Sequence, residues 1–193
     1  MSGNTERDSQ GRGCQARLSL VSFPSFYQQY YPVLVRYLIS QAHGTRFAED
    51  VAQETMLAAR EKWEDLLTYE RPDAWLFKIA IRMLRRWEYK VRQECSYDGD
   101  GDGTVGDVGV AAATDDWVNQ HVDIVTGIRS LPRRQAEVIA LHYLADYTIT
   151  DTAEILGISA GSAKTHLHRA LDHLKRLEGI PAVSASAEMR DAS

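Results

Sequence analysis

The stretch TITDTAEILGISAGSAKTHLHRALDHLKRL, residues 148–177, decides the fold. Thr148 and Asp151 have the spacing of a capping box, Gly157 stands where a helix should stop, and Ser159 can cap a second helix after only a short turn. Two short helices joined so tightly must cross at a steep angle, which is the helix-turn-helix geometry. On a helical wheel the second helix carries Ala163, Leu167, Ala170, Leu171 and Leu174 on one side. Ser162, Thr165, His166, Arg169, His173 and Arg176 fall opposite, with Lys164 and His168 on the flanks. A reader of the major groove needs hydrogen-bonding tips and positive charge on the face away from its core, and this helix has both. A plain amphipathic bundle helix would also be polar outside, but it would not require the two caps around a Leu-Gly-Ile turn. The three histidines are no metal site in this reading, because residues two apart on a helix do not share a face.

Upstream, residues 94–116 contain seven acidic residues, five glycines and no Lys or Arg. Such a stretch has little to pack and reads as a flexible acidic linker. It divides the chain into a first unit at 22–93 and a second at 117–178, flanked by tails at 1–21 and 179–193 that read as disordered. Between these segments the periodicity is helical throughout, with helices expected over 26–42, 48–66, 72–92, 116–130, 132–144, 149–156 and 160–177. The class is all-α, two small helical domains. The 193 residues, 44% hydrophobic, suffice for one modest core or two small ones. No apolar run is long enough to cross a bilayer and the start lacks a signal peptide, so a cytoplasmic protein is expected. Cys14 and Cys95 lie in polar surroundings that suit neither a disulfide framework nor a zinc site. The net charge of -5 excludes a simple basic coat for nucleic acid, so local distribution must decide.

That distribution is uneven. Residues 71–93 hold seven basic side chains (Arg71, Lys78, Arg82, Arg85, Arg86, Lys90, Arg92) against two acidic ones. On the wheel Leu76, Ala80, Met83 and Trp87 form a core stripe, while Lys78, Arg82, Arg85 and Arg86 share the other side with Trp75 and Tyr89. Cations attract phosphates and aromatic rings offer platforms for unstacked bases, so the face suits single-stranded or melting DNA. A solvated basic helix with partly buried aromatics is the alternative. The preceding helix buries Val51, Thr55, Met56, Ala59 and Trp63, and shows Asp50, Gln53, Glu54 and Glu61 around an outward Leu57. An isolated exposed leucine needs no explanation, but in an acidic surface it is compatible with protein docking.

Five words in order, FYQQYYPVLVRYL, AEDVAQETML, RPDAWLFKIAIRMLRR, LPRRQAEVIALHYL and AEILGISAGSAKTHLHRAL, resemble the extracytoplasmic-function sigma factors of the sigma-70 family, which retain only regions two and four. The resemblance implies a role for each surface. Asp50, Gln53, Glu54 and Leu57 match positions that bind the clamp helices of the largest subunit of core RNA polymerase. The loop 64–72 and the basic helix, with Arg71, Trp75, Lys78, Arg82, Arg85 and Arg86, match the part that opens the minus-ten element and captures a flipped base. Ser162, Lys164, Thr165, His166 and Arg169 match the helix that reads the minus-35 element, in a region that meets the flap of the second-largest subunit. An anti-sigma factor is a further partner that the resemblance allows. The linker would thread the polymerase cleft; about 22 residues extend to roughly 70 Å, enough to bridge two promoter elements. The chain departs from the family at His166, where an arginine is usual, at Leu171, where a basic residue is usual, and at Thr152, where an apolar residue is usual. Met83 and Leu84 also stand where many relatives carry an acidic residue.

Three other readings compete. A stand-alone helix-turn-helix regulator of the response-regulator type would share AKTHL but leaves the first unit unexplained, because no βα alternation precedes Glu94. Asp98, Asp100, Asp102 and Gly103 imitate an EF-hand opening, yet the closing Glu is Gly109. No nucleophile elbow, phosphate-cradling loop or metal-ligand pair points to an enzyme, so neither catalytic residues nor cofactors are expected.

Overall fold

The computed structural model describes residues 22–42, 45–97 and 120–176. Among them are eight helices and no strand: α1 (Phe23–Gln41), α2 (Thr45–Glu61), α3 (Trp63–Leu66), α4 (Pro72–Tyr97), α5 (Val122–Arg129), α6 (Arg133–Tyr143), α7 (Ile149–Leu156) and α8 (Ala160–Arg176). The expected linker from 98 onward, the EF-hand-like aspartates and both tails lie outside the described residues. Several boundaries differ from expectation, three of them for a local reason. Helix α1 starts earlier because Ser22 caps it, its hydroxyl accepting from the Ser25 amide at 3.4 Å. The single helix expected over 48–66 is broken at Lys62, and the break lets Trp63 reach the rings of Phe23 and Phe26 at 5.5 and 5.3 Å. Helix α4 continues past the expected linker start at 94 to Tyr97, since no glycine stands between Pro72 and Gly99 to stop it.

Helices α1, α2 and α4 pack on one another around Phe26, Leu34, Leu38, Val51, Met56, Leu76 and Ala80, the faces that periodicity selects. The buried Thr55 hydroxyl donates back to the Val51 carbonyl at 2.7 Å, which satisfies it inside an otherwise apolar contact.

Helices α6, α7 and α8 pack mutually, with α8 burying Ala163, Ala170 and Leu174. Local chemistry sets the turn between the last two. The Thr148 hydroxyl accepts from the Asp151 amide at 3.1 Å and donates to its carboxylate at 2.7 Å. Gly157 takes φ +65 and ψ 40, the left-handed conformation that glycine adopts without steric cost. The Ile158 amide then returns to the Ala153 carbonyl at 2.9 Å, closing a Schellman turn. Ser159 caps α8 by accepting from the Ser162 amide at 3.1 Å.

Two separate cores were the expectation, but the buried residues of both halves form one cluster. Helix α1 packs on α5 and α6, and α4 packs on α7. Phe77 is the hinge of this contact: its ring meets Tyr37 edge-on at 5.5 Å and Tyr147 edge-on at 5.2 Å. Arg129 donates twice to the Ile39 carbonyl, at 3.2 and 2.7 Å, and the Gln41 amide donates to the Ala136 carbonyl at 3.2 Å. Burial, then the nearby Asp73 carboxylate, pushes the Tyr147 phenol far above its ordinary pKa, so this ring enters the seam neutral.

Two stability effects follow from α7. Thr152 is fully buried and its hydroxyl has no partner among the described residues, so Thr152→Val should raise the unfolding free energy by about 1 kcal/mol, read as a higher urea midpoint at unchanged slope. A Cβ at Gly157 would meet nothing within 4 Å, so Gly157→Ala is strained only through its backbone. It should cost about 1 kcal/mol, a fall of roughly 2–4 °C in melting temperature.

Candidate nucleic-acid interface

Four of the five residues expected to read DNA project from α8 into solvent: Ser162, Lys164, Thr165 and Arg169 are exposed. Lys164 and Arg169 have no ion-pair partner among the described residues, so both cations are available to an incoming phosphate or base edge. The Thr165 hydroxyl donates to the Gly161 carbonyl at 2.9 Å, leaving its lone pairs for a base donor. His166 corrects the wheel. It is half-buried, with its Nδ1 shut off from solvent and unbonded, because it lies one turn from both Ala163 and Ala170, which are buried. Only the outer edge of this imidazole can take part in reading. His168 is exposed and faces Asp172 at 3.4 Å.

The cationic helix α4 is organised differently from what its sequence suggests. Its apolar stripe is wider than the one expected, because Phe77, Ile81 and Leu84 are buried beside Leu76 and Ala80. The cations next to this second stripe are Arg71, Lys78 and Arg85, seven residues apart, about 10 Å between successive members. Each meets a carboxylate from the last four helices. Arg71 pairs with Asp151 at 2.5 Å while also holding Asp73 at 2.9 Å. Lys78 pairs with Glu154 at 3.0 Å, and Arg85 with Glu137 at 2.9 Å. Arg133 returns the exchange by holding Glu88 at 3.1 Å.

None of these acids was singled out from sequence as a partner of the α4 cations. The signal that could have found them is the heptad row of cations running beside an unassigned apolar stripe. Glu137 is buried and also accepts from Arg133 and Arg134 at 3.1 and 2.9 Å, so three guanidiniums neutralise one carboxylate. Partial burial works against ionisation of Asp151, but hydrogen bonds from Thr148 and Arg71 outweigh it and hold its carboxyl below the ordinary value. The bond to Asp73, followed by that to Asp151, raises the already high Arg71 pKa and keeps it charged.

Arg82 and Arg86 are exposed, on the side of α4 away from the seam, with no ion pair among the described residues. Trp75 is half-buried and lines an open groove of 580 Å³ with Tyr69, Glu70, Arg71, Ala74, Lys78 and Glu154. Two aromatic walls, cations and a carboxylate acceptor are the groups that would hold an unstacked base.

Asp50, Gln53, Glu54 and Leu57 form one exposed stripe on α2, with Leu57 59% accessible. Glu54 accepts from the Trp87 indole at 3.2 Å, and Trp87 packs edge-on to Phe47 at 5.7 Å, so the stripe rests on a fixed base. Tyr89, 64% accessible, is an exposed ring on α4. Among the described residues no helix is long and apolar enough to cross a membrane.

Comparison with known proteins agrees with this arrangement. Residues 26–92 match the family described as Sigma-70 region 2, and residues 121–174 match Sigma-70, region 4. The chain is 31% identical over 157 residues to the ECF RNA polymerase sigma factor SigL of Mycobacterium tuberculosis, covering 78% of this chain and 85% of that protein. It is 26% identical over 160 residues to SigM of Bacillus subtilis, covering 81% and 95%. Two solved structures share the fold. One is the sigma factor RpoE in complex with the anti-sigma factor NepR from Bartonella quintana, with TM-score 0.64, 22% identity, and 80% of this chain and 95% of that one covered. The other is CnrH in complex with the cytosolic domain of CnrY, with TM-score 0.57, 20% identity, and 86% and 93% covered. With both regions matched in order and a 31% identical relative covered over most of its length, the chain belongs to the extracytoplasmic-function RNA polymerase sigma factors, the promoter-recognising initiation factors of the sigma-70 family.

Proposed function

We propose that residues 22–93 act as region two and 117–178 as region four, joined by the acidic segment 94–116, with a division of labour among three helical faces. Helix α2 docks on the clamp helices of core RNA polymerase through Asp50, Gln53, Glu54 and Leu57. Helix α4 and the preceding loop take the minus-ten element, with Arg71, Trp75, Lys78, Arg82, Arg85 and Arg86 contacting the backbone and unstacked bases. Helix α8 reads the minus-35 element through Ser162, Lys164, Thr165 and Arg169, with His166 at the edge of that face, and region four also meets the polymerase flap. The observation that carries this reading is the exposed, cationic face of α8 on a helix-turn-helix whose turn is held by Gly157. The polymerase supplies the chemistry, so no catalytic residue is assigned and no cofactor is needed. The protein works where the polymerase is, in the cytoplasm, and an anti-sigma factor is a fitting partner because one fold neighbour is the sigma factor RpoE in complex with the anti-sigma factor NepR.

Linking two weak DNA contacts through one polymerase-bound chain raises their joint affinity by effective concentration. The free protein, with net charge -5, should therefore bind promoter DNA far more weakly than the holoenzyme does. Run-off transcription from a library of promoter fragments, with core polymerase and the purified chain, tests the whole reading: transcripts must require both components. Leu57→Asp should abolish association with core polymerase while circular dichroism stays unchanged, because Leu57 contributes little to the core. Retained association would remove α2 from the interface. Arg169→Ala should weaken minus-35 recognition by about 1–3 kcal/mol and reduce the salt slope of binding by about one, measured by anisotropy on a duplex selected in the transcription assay.

A further inference from the structure

Asp73, Glu88, Glu137, Asp151 and Glu154, the acids on or facing α4, each hold a basic side chain. Glu54 also meets α4, but it is exposed and has no ion pair among the described residues. A neutral donor holds it instead: the Trp87 indole N–H reaches its Oε2 at 3.2 Å. One carboxylate oxygen is fixed, the other has no donor among the described residues, and the charge is left uncancelled. We propose that Trp87 is a positioning residue for polymerase binding, its N–H selecting the rotamer of Glu54 so that docking meets a carboxylate already in place. This rests on the assignment of α2 to the polymerase above.

The indole is itself held on several sides. Phe47 of α2 packs edge-on to it at 5.7 Å, and the Lys90 ammonium lies 5.6 Å from its ring centroid. One turn earlier on α4, the Met83 sulfur touches the hydroxyl of Thr55, the sequence neighbour of Glu54, at 3.4 Å. These contacts fix the register of α4 against α2 at the point where Glu54 leaves the helix. Sequence puts Trp87 in the core stripe of α4, a role that its half-buried ring fills only in part.

Glutamate is among the side chains with most rotamer freedom to lose, so a partner that needs one conformer must order it on binding. A lysine or arginine in place of Trp87 would order it too, but would also cancel the charge that attracts a basic partner. An indole does the first without the second.

The full chain is titrated against core RNA polymerase by biolayer interferometry, as wild type and with two replacements at position 87. Trp87→Phe keeps an aromatic ring and removes the N–H. Benzothienylalanine, introduced by nonsense suppression, keeps the bicyclic shape and puts sulfur where the N–H stood, so it isolates the hydrogen bond even if the phenylalanine form folds poorly. Both should bind roughly threefold to tenfold more weakly, the range set by ordering one long side chain on docking. The melting temperature of the benzothienyl form should match wild type. Each replacement is then repeated with Glu54→Ala, where the loss at position 87 should vanish because the group it acts through is gone. An equal loss with and without Glu54 makes Trp87 a packing residue and overturns the proposal, as does wild-type affinity of the benzothienyl form while Glu54→Ala binds weakly. Wild-type affinity of Glu54→Ala takes Glu54 out of the interface and the positioning role with it. If Leu57→Asp also binds like wild type, the assignment of α2 itself fails.

Discussion

Phe77 lies between Tyr37 and Tyr147, edge-on to both, and through it one helix serves two packing problems. Toward Tyr37, α4 completes the three-helix body with α1 and α2. Toward Tyr147, it receives the segment that leads into the helix-turn-helix. Because the ring is fully buried, neither contact can be adjusted without disturbing the other. The position of α7, and with it the orientation of α8, therefore depends on a residue far upstream of the helix-turn-helix.

Around that apolar centre the polar groups are arranged by cost. A carboxylate as buried as Glu137 is tolerable only when paired, and it collects Arg85, Arg133 and Arg134. The more solvated acids Asp151 and Glu154 have one basic partner each. Thr152 and His166 are the exceptions, each with a buried polar atom left unbonded among the described residues.

Local features were the legible ones. Thr148, Gly157 and Ser159 determine their turn through atoms within a few residues, so spacing alone located it. The α2 stripe was equally clear, because Val51, Thr55, Met56 and Ala59 repeat at the helical period with one buried side. The seam was not legible, since its ion pairs join residues 45 to 80 positions apart and each acid looks like an ordinary solvated side chain. Phe77, Ile81 and Leu84 did mark a second buried face, but they blur into the stripe of Leu76 and Ala80 and widen it instead of announcing a partner. His166 was misplaced for a similar reason: a wheel divides faces sharply, whereas a residue one turn from two buried alanines lies on the boundary. The end of α4 escaped because acidity and glycine content describe residues 94–116 as a whole, while helix termination is decided by the first breaker.

Ser162, Lys164, Thr165 and Arg169 carry no packing duty; what holds α8 in place is Ala163, Ala170, Leu174 and a turn whose glycine is constrained by its backbone and not by its neighbours. On the proposed reading, recognition and folding are thus written on separate residues of the same helix. Lineages can exchange the outward letters and drift toward new promoters while stability stays level. The inward-leaning position 166 is the exception, where a change of specificity must also satisfy the core.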